Sequence, residues 1–392
     1  MTSTLPRRTY LYFAAQSINL TTAVMSVTMA GIVGTTLAPE ARFSTVPYGF
    51  QFLFLMLATY PVSRMMSRIG RKNAFMLGAI PLVISGLSGF WAVEYQHFPL
   101  LVFSHAALGV YIAFANFNRF AATDNLDQTL KPKAISLVAA GGVIAAVVGP
   151  TLTELLRDLH GYSLFSMCYA SFIGLAALSL LIAALLPDDS VKPATFSANE
   201  KPANARDNPP ASTVMIALSV AAVGYGVMNL LMIQASMHMK HMHQDFSDVR
   251  LAIQWHVIAM FAPSFFTGAI IQKLGTKATI CLGLIMLIGC AAVNMGSSSY
   301  GVMTFSLIIL GLGWNLTYVG GGALLAQTLQ NSPEAMNMQG KNDLAIAIFA
   351  TIGAFSPALL LSTVGWGGTN AICMALCSVL LVATALKLKH AA

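Results

Sequence analysis

Long apolar runs separated by short polar turns set the pattern of this chain. Crossing the hydrocarbon core of a bilayer takes roughly 20 predominantly apolar residues. Twelve segments have that character, at about 10–37, 45–66, 73–94, 98–122, 134–157, 163–187, 211–236, 249–271, 278–296, 301–328, 343–363 and 367–387. They predict an all-α membrane protein of twelve transmembrane helices. Gly and Pro interrupt many of the runs, which neighbouring helices make tolerable. Only Pro187 to Pro210 is long and polar, rich in Asp, Pro, Asn, Ala and Lys and without periodicity. It reads as a linker (188–210) between two six-helix bundles, residues 1–187 and 211–392. Tyr10 to Leu37 is too long for a signal-peptide core, so it is expected to be an uncleaved first span.

Composition agrees with this reading. Only 9% of the 392 residues are charged, 56% are hydrophobic, and mean hydropathy is +0.71, against about 25% charged residues in soluble domains. The net charge of +7 is explained by placement rather than by nucleic acid. With both termini and the even-numbered loops on one side, that side holds Lys/Arg 7, 8, 64, 68, 71, 72, 131, 133, 192, 201, 206, 273, 277, 341, 387 and 389, and the other only 42, 157, 240 and 250. The positive-inside rule then predicts cytoplasmic termini. All five Cys lie in apolar runs, so they say little about redox compartment. No phosphate-binding Gly-Lys-[Ser/Thr] loop occurs, so direct ATP drive is not expected. No nucleophile–base or metal–carboxylate constellation falls within the spans, which argues against an enzyme.

The two halves resemble each other. Ser63-Arg-Met-Met-Ser67-Arg68-Ile-Gly70-Arg71-Lys72 follows span two, and Gly268-Ala-Ile-Ile-Gln272-Lys273-Leu-Gly275-Thr276-Lys277 follows span eight, 205 residues later. Gly149-Pro150 in span five and Ser356-Pro357 in span eleven are 207 apart. Two landmarks at nearly one offset support an internal duplication. Over its whole length the chain resembles the major facilitator superfamily. Arg68, Gly70, Arg71 and Lys72, with Gly275 and Lys277 in the second copy, match its basic conformational loop. Ser63 and Ser67 stand where the family pattern has Gly and Asp, so the acid that steadies the outward-open state there is absent. The resemblance implies two bundles around a central path with substrate near the midplane.

Sulfur and imidazole concentrate between Met228 and Met260. Met228/Met232 on span seven and His256/Met260 on span eight are each spaced i,i+4, which puts each pair on one helix face. Between them lies Met237-His238-Met239-Lys240-His241-Met242-His243, read as an outward-facing hairpin that captures ions. If the hairpin is symmetric about residue 242, residues whose numbers sum to 484 share a depth, and Met228 faces His256. Thioethers and imidazole without carboxylates select Cu(I) over hard cations, and Zn would bring Cys or Asp/Glu. Met is also a common gap-filler in cores, whereas a His inside a span is costly and usually faces a pathway. Asp245 and Asp248 read as caps of span eight.

On these residues the chain is similar to the CcoA-like copper importers, a branch of the superfamily. Gly313-Trp314-Asn315, Gly365-Trp366 and Asn118-Arg119-Phe120-Ala121 also look like that branch. The resemblance implies a bacterial inner-membrane protein carrying copper into the cytoplasm for cytochrome c oxidase assembly. It implies copper as cargo rather than cofactor, a monomer in the lipid bilayer, periplasmic and cytoplasmic copper chaperones as partners, and no nucleic acid. Relatives in the same branch import riboflavin and lack the metal motifs. The alternatives are therefore a riboflavin-like or other organic solute importer or a drug antiporter, with Trp314, Tyr318 and Phe114 as stacking surface for the cargo, and a copper sensor or assembly factor that does not transport. Asn19, Asn118, Arg119, Asn315, Cys373 and Cys377 are candidates to line the path; each also has a structural reading, such as Arg119 paired with Asp124. Without a mid-span carboxylate, proton coupling would fall to His256.

Overall fold

The computed structural model describes residues 5–122, 126, 131–187, 211–296, 299–329 and 335–388. They are almost wholly α-helical, and no strand occurs among them. Ten helices are long and apolar enough to cross a membrane. They are spans one (Arg7–Leu37), three (Arg71–Glu94), four (Phe98–Ala115), five (Leu137–Leu156), six (Ser166–Ala184), seven (Ala211–His241), nine (Thr276–Gly296), ten (Tyr300–Thr328), eleven (Gly340–Thr363) and twelve (Gly365–Lys387). Span eight is a bent pair, Phe246–Phe261 and Ser264–Leu274, meeting at 47°. Span two, Val46–Ile69, is 24 residues long but less apolar, since Gln51, Thr59, Tyr60 and Pro61 interrupt it. The proposed linker 188–210 and Asp124 lie outside the described residues.

Burial follows bilayer logic. Leu57, Ile80, Leu181 and Val379 are exposed, while Thr22, Ser85, Ser104, Asn229, Thr317 and Asn370 are buried. Lipid solvates large apolar side chains, so helices associate through small and polar residues that let backbones approach. A Cβ at Gly109 would collide with the Gln51 carbonyl of span two, and one at Gly353 with the Gly226 carbonyl of span seven.

Packing repeats between the halves. Span two packs on four, three on four and six, and one on five; correspondingly, eight packs on ten, nine on ten and twelve, and seven on eleven. The seam between bundles is also symmetric, with two against eleven and five against eight, and one meeting seven at its centre. The repeated loop carries the same backbone device twice. Gly70 has φ 81°, ψ 163°, and Gly275 has φ 83°, ψ 157°. Each donates its N–H back to the closing helix, Gly70 to the Met66 carbonyl at 3.1 Å and Gly275 to the Ile271 carbonyl at 2.9 Å, and each starts the next helix. Around them Arg71 reaches the Met66 sulfur at 3.8 Å, and Lys277 donates to the Ala385 and Leu388 carbonyls at 2.9 and 2.6 Å, capping span twelve. Arg68 is exposed.

The bundles are drawn together at the end away from Gly70 and Gly275. There Lys240 donates to the Thr35 hydroxyl at 3.0 Å and the Ile32 carbonyl at 3.4 Å. Glu154 of span five meets Arg250 of span eight at 3.4 Å and accepts from the Ser247 hydroxyl at 2.9 Å. Arg157, 3.3 Å from Glu154, lies 4.7 Å over the Phe246 ring. The molecule is therefore closed at the span seven–eight turn.

The backbone region occupied by Gly70 and Gly275 is essentially glycine-only, and strain there costs about 1–3 kcal/mol. Gly70→Ala and Gly275→Ala are each expected to lower the melting temperature of the detergent-purified protein, followed by size-exclusion thermal melts. Melting as for the unaltered protein would show that the two turns carry no such constraint.

Candidate functional site

Met228, Met232, His256 and Met260 are all buried, with exposures of 2, 4, 0 and 7%. Span seven runs to His241 rather than ending near 236. Met228 therefore stands three and a half turns, roughly 20 Å, below the end of its helix. The relative depth of the two helices is fixed by Trp314 of span ten, whose ring meets Tyr225 of span seven at 5.7 Å and Phe261 of span eight at 6.0 Å. Those residue numbers sum to 486, so Met228 and His256 lie within about one turn of the same level.

The imidazole of His256 is turned toward span ten. Its Nδ1 lies 2.7 Å from the Leu307 carbonyl, which fixes the ring as the Nδ1–H tautomer donating to that oxygen. Nε2 is then a lone-pair acceptor, fully buried, with no hydrogen-bond partner among the described residues. A buried polar atom left unpaired costs about 1–3 kcal/mol. No group of three or more His, Cys, Asp or Glu suited to a metal ion occurs among the described residues. A metal here would rest on His256 with thioethers.

Asn315 has a different task from lining a path. Pro263 lacks an N–H and breaks span eight. The N–H it lacks is the one the Ala259 carbonyl would have used, and at the break the Met260 carbonyl accepts from Asn315 Nδ2 at 2.8 Å while the same amide donates to the Ser264 hydroxyl at 2.7 Å. The Thr267 hydroxyl lies 2.6 Å from Asn315 Oδ1. Asn315 thus staples span ten across the bend.

Below the soft ligands is a ring cluster drawn from both bundles. Trp314 and Tyr318 stack at 5.0 Å and 13°. Tyr225 meets both edge-on, Phe52 of span two lies 6.4 Å from Tyr225, and Tyr48 lies 5.2 Å from Phe52. Tyr225 and Trp314 are at the middle of their helices, hence near mid-depth. The Tyr48 hydroxyl donates to Asn229 Oδ1 at 3.2 Å across the seam. Arg119, beyond the end of span four, reaches the Tyr318 hydroxyl at 3.5 Å. Phe114 packs elsewhere, against Gly78 inside the first bundle.

The expected ion-capture hairpin is not a loop. Met237 to His241 are the last turns of span seven, and only 242–245 make the turn. Met237 and Met239 are buried, with Met237 against Gly31 of span one, because the apolar face of the helix continues under them. His238 is half-buried and stacks on Trp366 at 4.6 Å. Met242 is partly exposed, and of these Met and His only His241 and His243 are exposed, so the six residues do not present one ligand surface. Asp245 takes the N-cap position of span eight without a side-chain capping bond, and Asp248 lies in its first turn.

Other candidates divide. Asn19 Nδ2 donates to Asn116 Oδ1 at 3.3 Å, tying span one to span four, and Asn118 is buried at 2% exposure. Cys373 and Cys377 are buried on span twelve beside Cys290 of span nine. These three thiols form a packed patch between the outer helices nine and twelve rather than part of the cleft.

Residues 11–247 match the family model described as Major Facilitator Superfamily. The chain belongs to the major facilitator superfamily. It is 30% identical to the riboflavin transporter RfnT of Brucella anthropi over 96% of this chain and 94% of that one. It is 26% identical to the uncharacterized MFS-type transporter YdeG of Bacillus subtilis over 83% of this chain and 79% of the relative. The crystal structure of the nucleoside transporter NupG superposes with a TM-score of 0.69 over 98% of this chain and 100% of that one, at 13% identity, which shows the shared fold. The chain is thus a multi-pass membrane transporter of this superfamily.

Within the superfamily fold, one intramembrane histidine escaped the sequence reading. His105 of span four places Nδ1 3.0 Å from Gln51 Oε1 and Nε2 3.0 Å from the Tyr169 hydroxyl, and Gln51 Oε1 also accepts from the Ser26 hydroxyl at 2.6 Å. Both ring nitrogens are satisfied, which makes it a clamp of spans one, two, four and six. Its signal, a His inside an apolar run, was the one that singled out His256; only the partners separate the two.

Asn315→Ala leaves the Met260 carbonyl unpaired in a dry site, at a cost of about 1–3 kcal/mol. The melting temperature is expected to fall by several degrees together with transport. Loss of transport with unchanged melting would return Asn315 to the path.

Proposed function

We propose that this transporter imports copper, as Cu(I), across a bacterial inner membrane by alternating access, supplying cytochrome c oxidase assembly. The observation that carries the reading is His256, an intramembrane imidazole held by one nitrogen with the other buried, unpaired and on the same helix face as Met260. Met228 and Met232 stand on the neighbouring span within about a turn of its depth. Thioether and imidazole donors without a carboxylate suit Cu(I). In this reading Met228 and His256 make the main coordination step, Met232 and Met260 support it, and copper is cargo rather than cofactor. Chaperones on either side hand the ion over, the protein acts as a monomer without catalysis, and the basic-residue bias places both termini in the cytoplasm.

A second reading keeps the fold and changes the cargo to an organic solute of the riboflavin type. It is supported by the extent of similarity to RfnT and by the ring cluster at mid-depth. RfnT is named for riboflavin, so similarity favours this second reading, while the ligand set favours the first.

Radioactive copper and radioactive riboflavin uptake, measured side by side in cells expressing the protein, separate the two. Copper accumulation is expected, falling by about tenfold or more in His256→Ala and Met228→Ala, since even outer-shell partners of a metal site cost that much. Copper uptake untouched by both changes sinks the site. Riboflavin accumulation without copper establishes the second reading, and copper binding without accumulation establishes a sensor.

A further inference from the structure

We propose that the ring cluster at mid-depth is a binding site for a planar heteroaromatic ring carrying carbonyl or ring-nitrogen acceptors. The proposal rests on the second reading of the cargo and names the residues that hold it. Three observations carry it. Tyr225, Phe52, Phe261 and Tyr318 are only partly buried, although they stand near the centre of the molecule, where the bundles meet and where superfamily substrates are expected to bind. Secondly, the Trp314 indole is 94% buried, yet its N–H has no acceptor among the described residues. An indole N–H usually finds a partner when buried, so this donor waits for an acceptor on the ligand. Thirdly, the Arg119 guanidinium approaches the Tyr318 hydroxyl from the first bundle and, although Asp343 partly balances it, brings positive charge beside the rings, which again favours an acceptor-rich edge.

The geometry narrows the class further. Indole and phenol faces are electron-rich and stack best on flat rings that are electron-poor. Trp314 and Tyr318 stack on each other, so each covers one face of its partner and the pair leaves its outer faces for a ligand, while Tyr225 stands edge-on to both and Phe261 edge-on to Trp314. A flexible acyclic polyol alone would leave these faces unused. The fused ring system is therefore the recognised part, and a side chain attached to it is expected to contribute little.

The test uses purified full-length protein in detergent, with riboflavin, its side-chain-free ring lumichrome, and ribitol as probes. Riboflavin and lumichrome are expected to bind with quenched flavin fluorescence, and ribitol is expected not to compete. Trp314→Ala and Tyr225→Ala should each weaken binding about tenfold or more, as loss of a stacking face does. Trp314→Phe, which keeps a ring and removes the N–H, should weaken it less but measurably. Trp91→Phe, on the exposed outer face, is the control. Thermal melts show whether the alanine variants fold; if they do not, Trp314→Phe decides. No riboflavin or lumichrome binding by the unaltered protein, or binding indifferent to Trp314→Phe and Tyr225→Ala, overturns the site. Riboflavin uptake in cells that persists unchanged in the Trp314 variants would leave the second reading standing and remove only this site.

Discussion

Inside a bilayer no water is available to satisfy an N–H or C=O group, and each one left alone costs several kcal/mol. This constraint accounts for most polar side chains in the spans. Where Pro263 breaks span eight, Asn315 takes the Met260 carbonyl. Near Pro357 in span eleven, Gln234 of span seven donates to the Pro357 carbonyl at 3.1 Å and to Thr369 at 3.0 Å, and about two turns along span eleven Asn229 donates to the Ala350 carbonyl at 3.0 Å. His105 is held at both nitrogens. Once such staples are set aside, an unmet buried donor or acceptor carries information. His256 Nε2 and Trp314 Nε1 are two such atoms, both at the junction of spans seven, eight and ten. They lie about two turns of span ten apart, roughly 10 Å, judged from Leu307 and Trp314.

Ten crossings were legible because length and hydropathy decide them, and the duplication because glycine-only backbone at Gly70 and Gly275 leaves a fixed sequence mark. The end of span seven was not. Its last turns alternate Met with His and Lys, which reads as a polar turn, but the helix buries Met237 and Met239 on one face and shows His241 to solvent on another. Polarity averaged along a short window cannot reveal that difference, and helix ends are uncertain by a residue or two in any case. The roles of Asn19 and Asn315 depended on partners 97 and 48 residues distant. No spacing rule gathers Tyr48, Phe52, Tyr225, Phe261, Trp314 and Tyr318, since they come from four different spans.

Duplication also explains the shape of the seam. Each bundle offers equivalent helices to its neighbour, so the pairings two–eleven and five–eight are two copies of one contact. Rocking about such a seam exchanges which end is closed. The closed end here is held by charged groups at helix termini, Glu154 with Arg250 and Lys240 with Thr35, where partial hydration keeps individual pairs weak, typically no more than about 1 kcal/mol each. Weak contacts suit a gate that must part on every cycle.

The division of the two candidate sites between the bundles bears on what the cargo does. Met228, Met232, His256, Met260 and the Leu307 carbonyl that orients the imidazole all belong to the second bundle. They move together, and rocking need not alter their geometry. The rings, by contrast, are shared: Tyr48 and Phe52 come from the first bundle, and Phe261 lies over Gly142 of span five. A ligand shifts a conformational equilibrium only by its differential affinity for the two states. A solute stacked among shared rings has that differential built in, because the cage exists only when both bundles contribute. An ion held by one bundle has none until something from the other side of the seam meets it. If copper is carried, the first bundle must therefore contribute through exclusion of water or through a contact made only on closure. The nearest first-bundle groups facing span eight are on span five, where Gly142 admits the close approach of Phe261. The coupling of copper to transport would then depend on span five, which carries no thioether or imidazole between Gly141 and Leu156, and so on packing rather than on a further ligand.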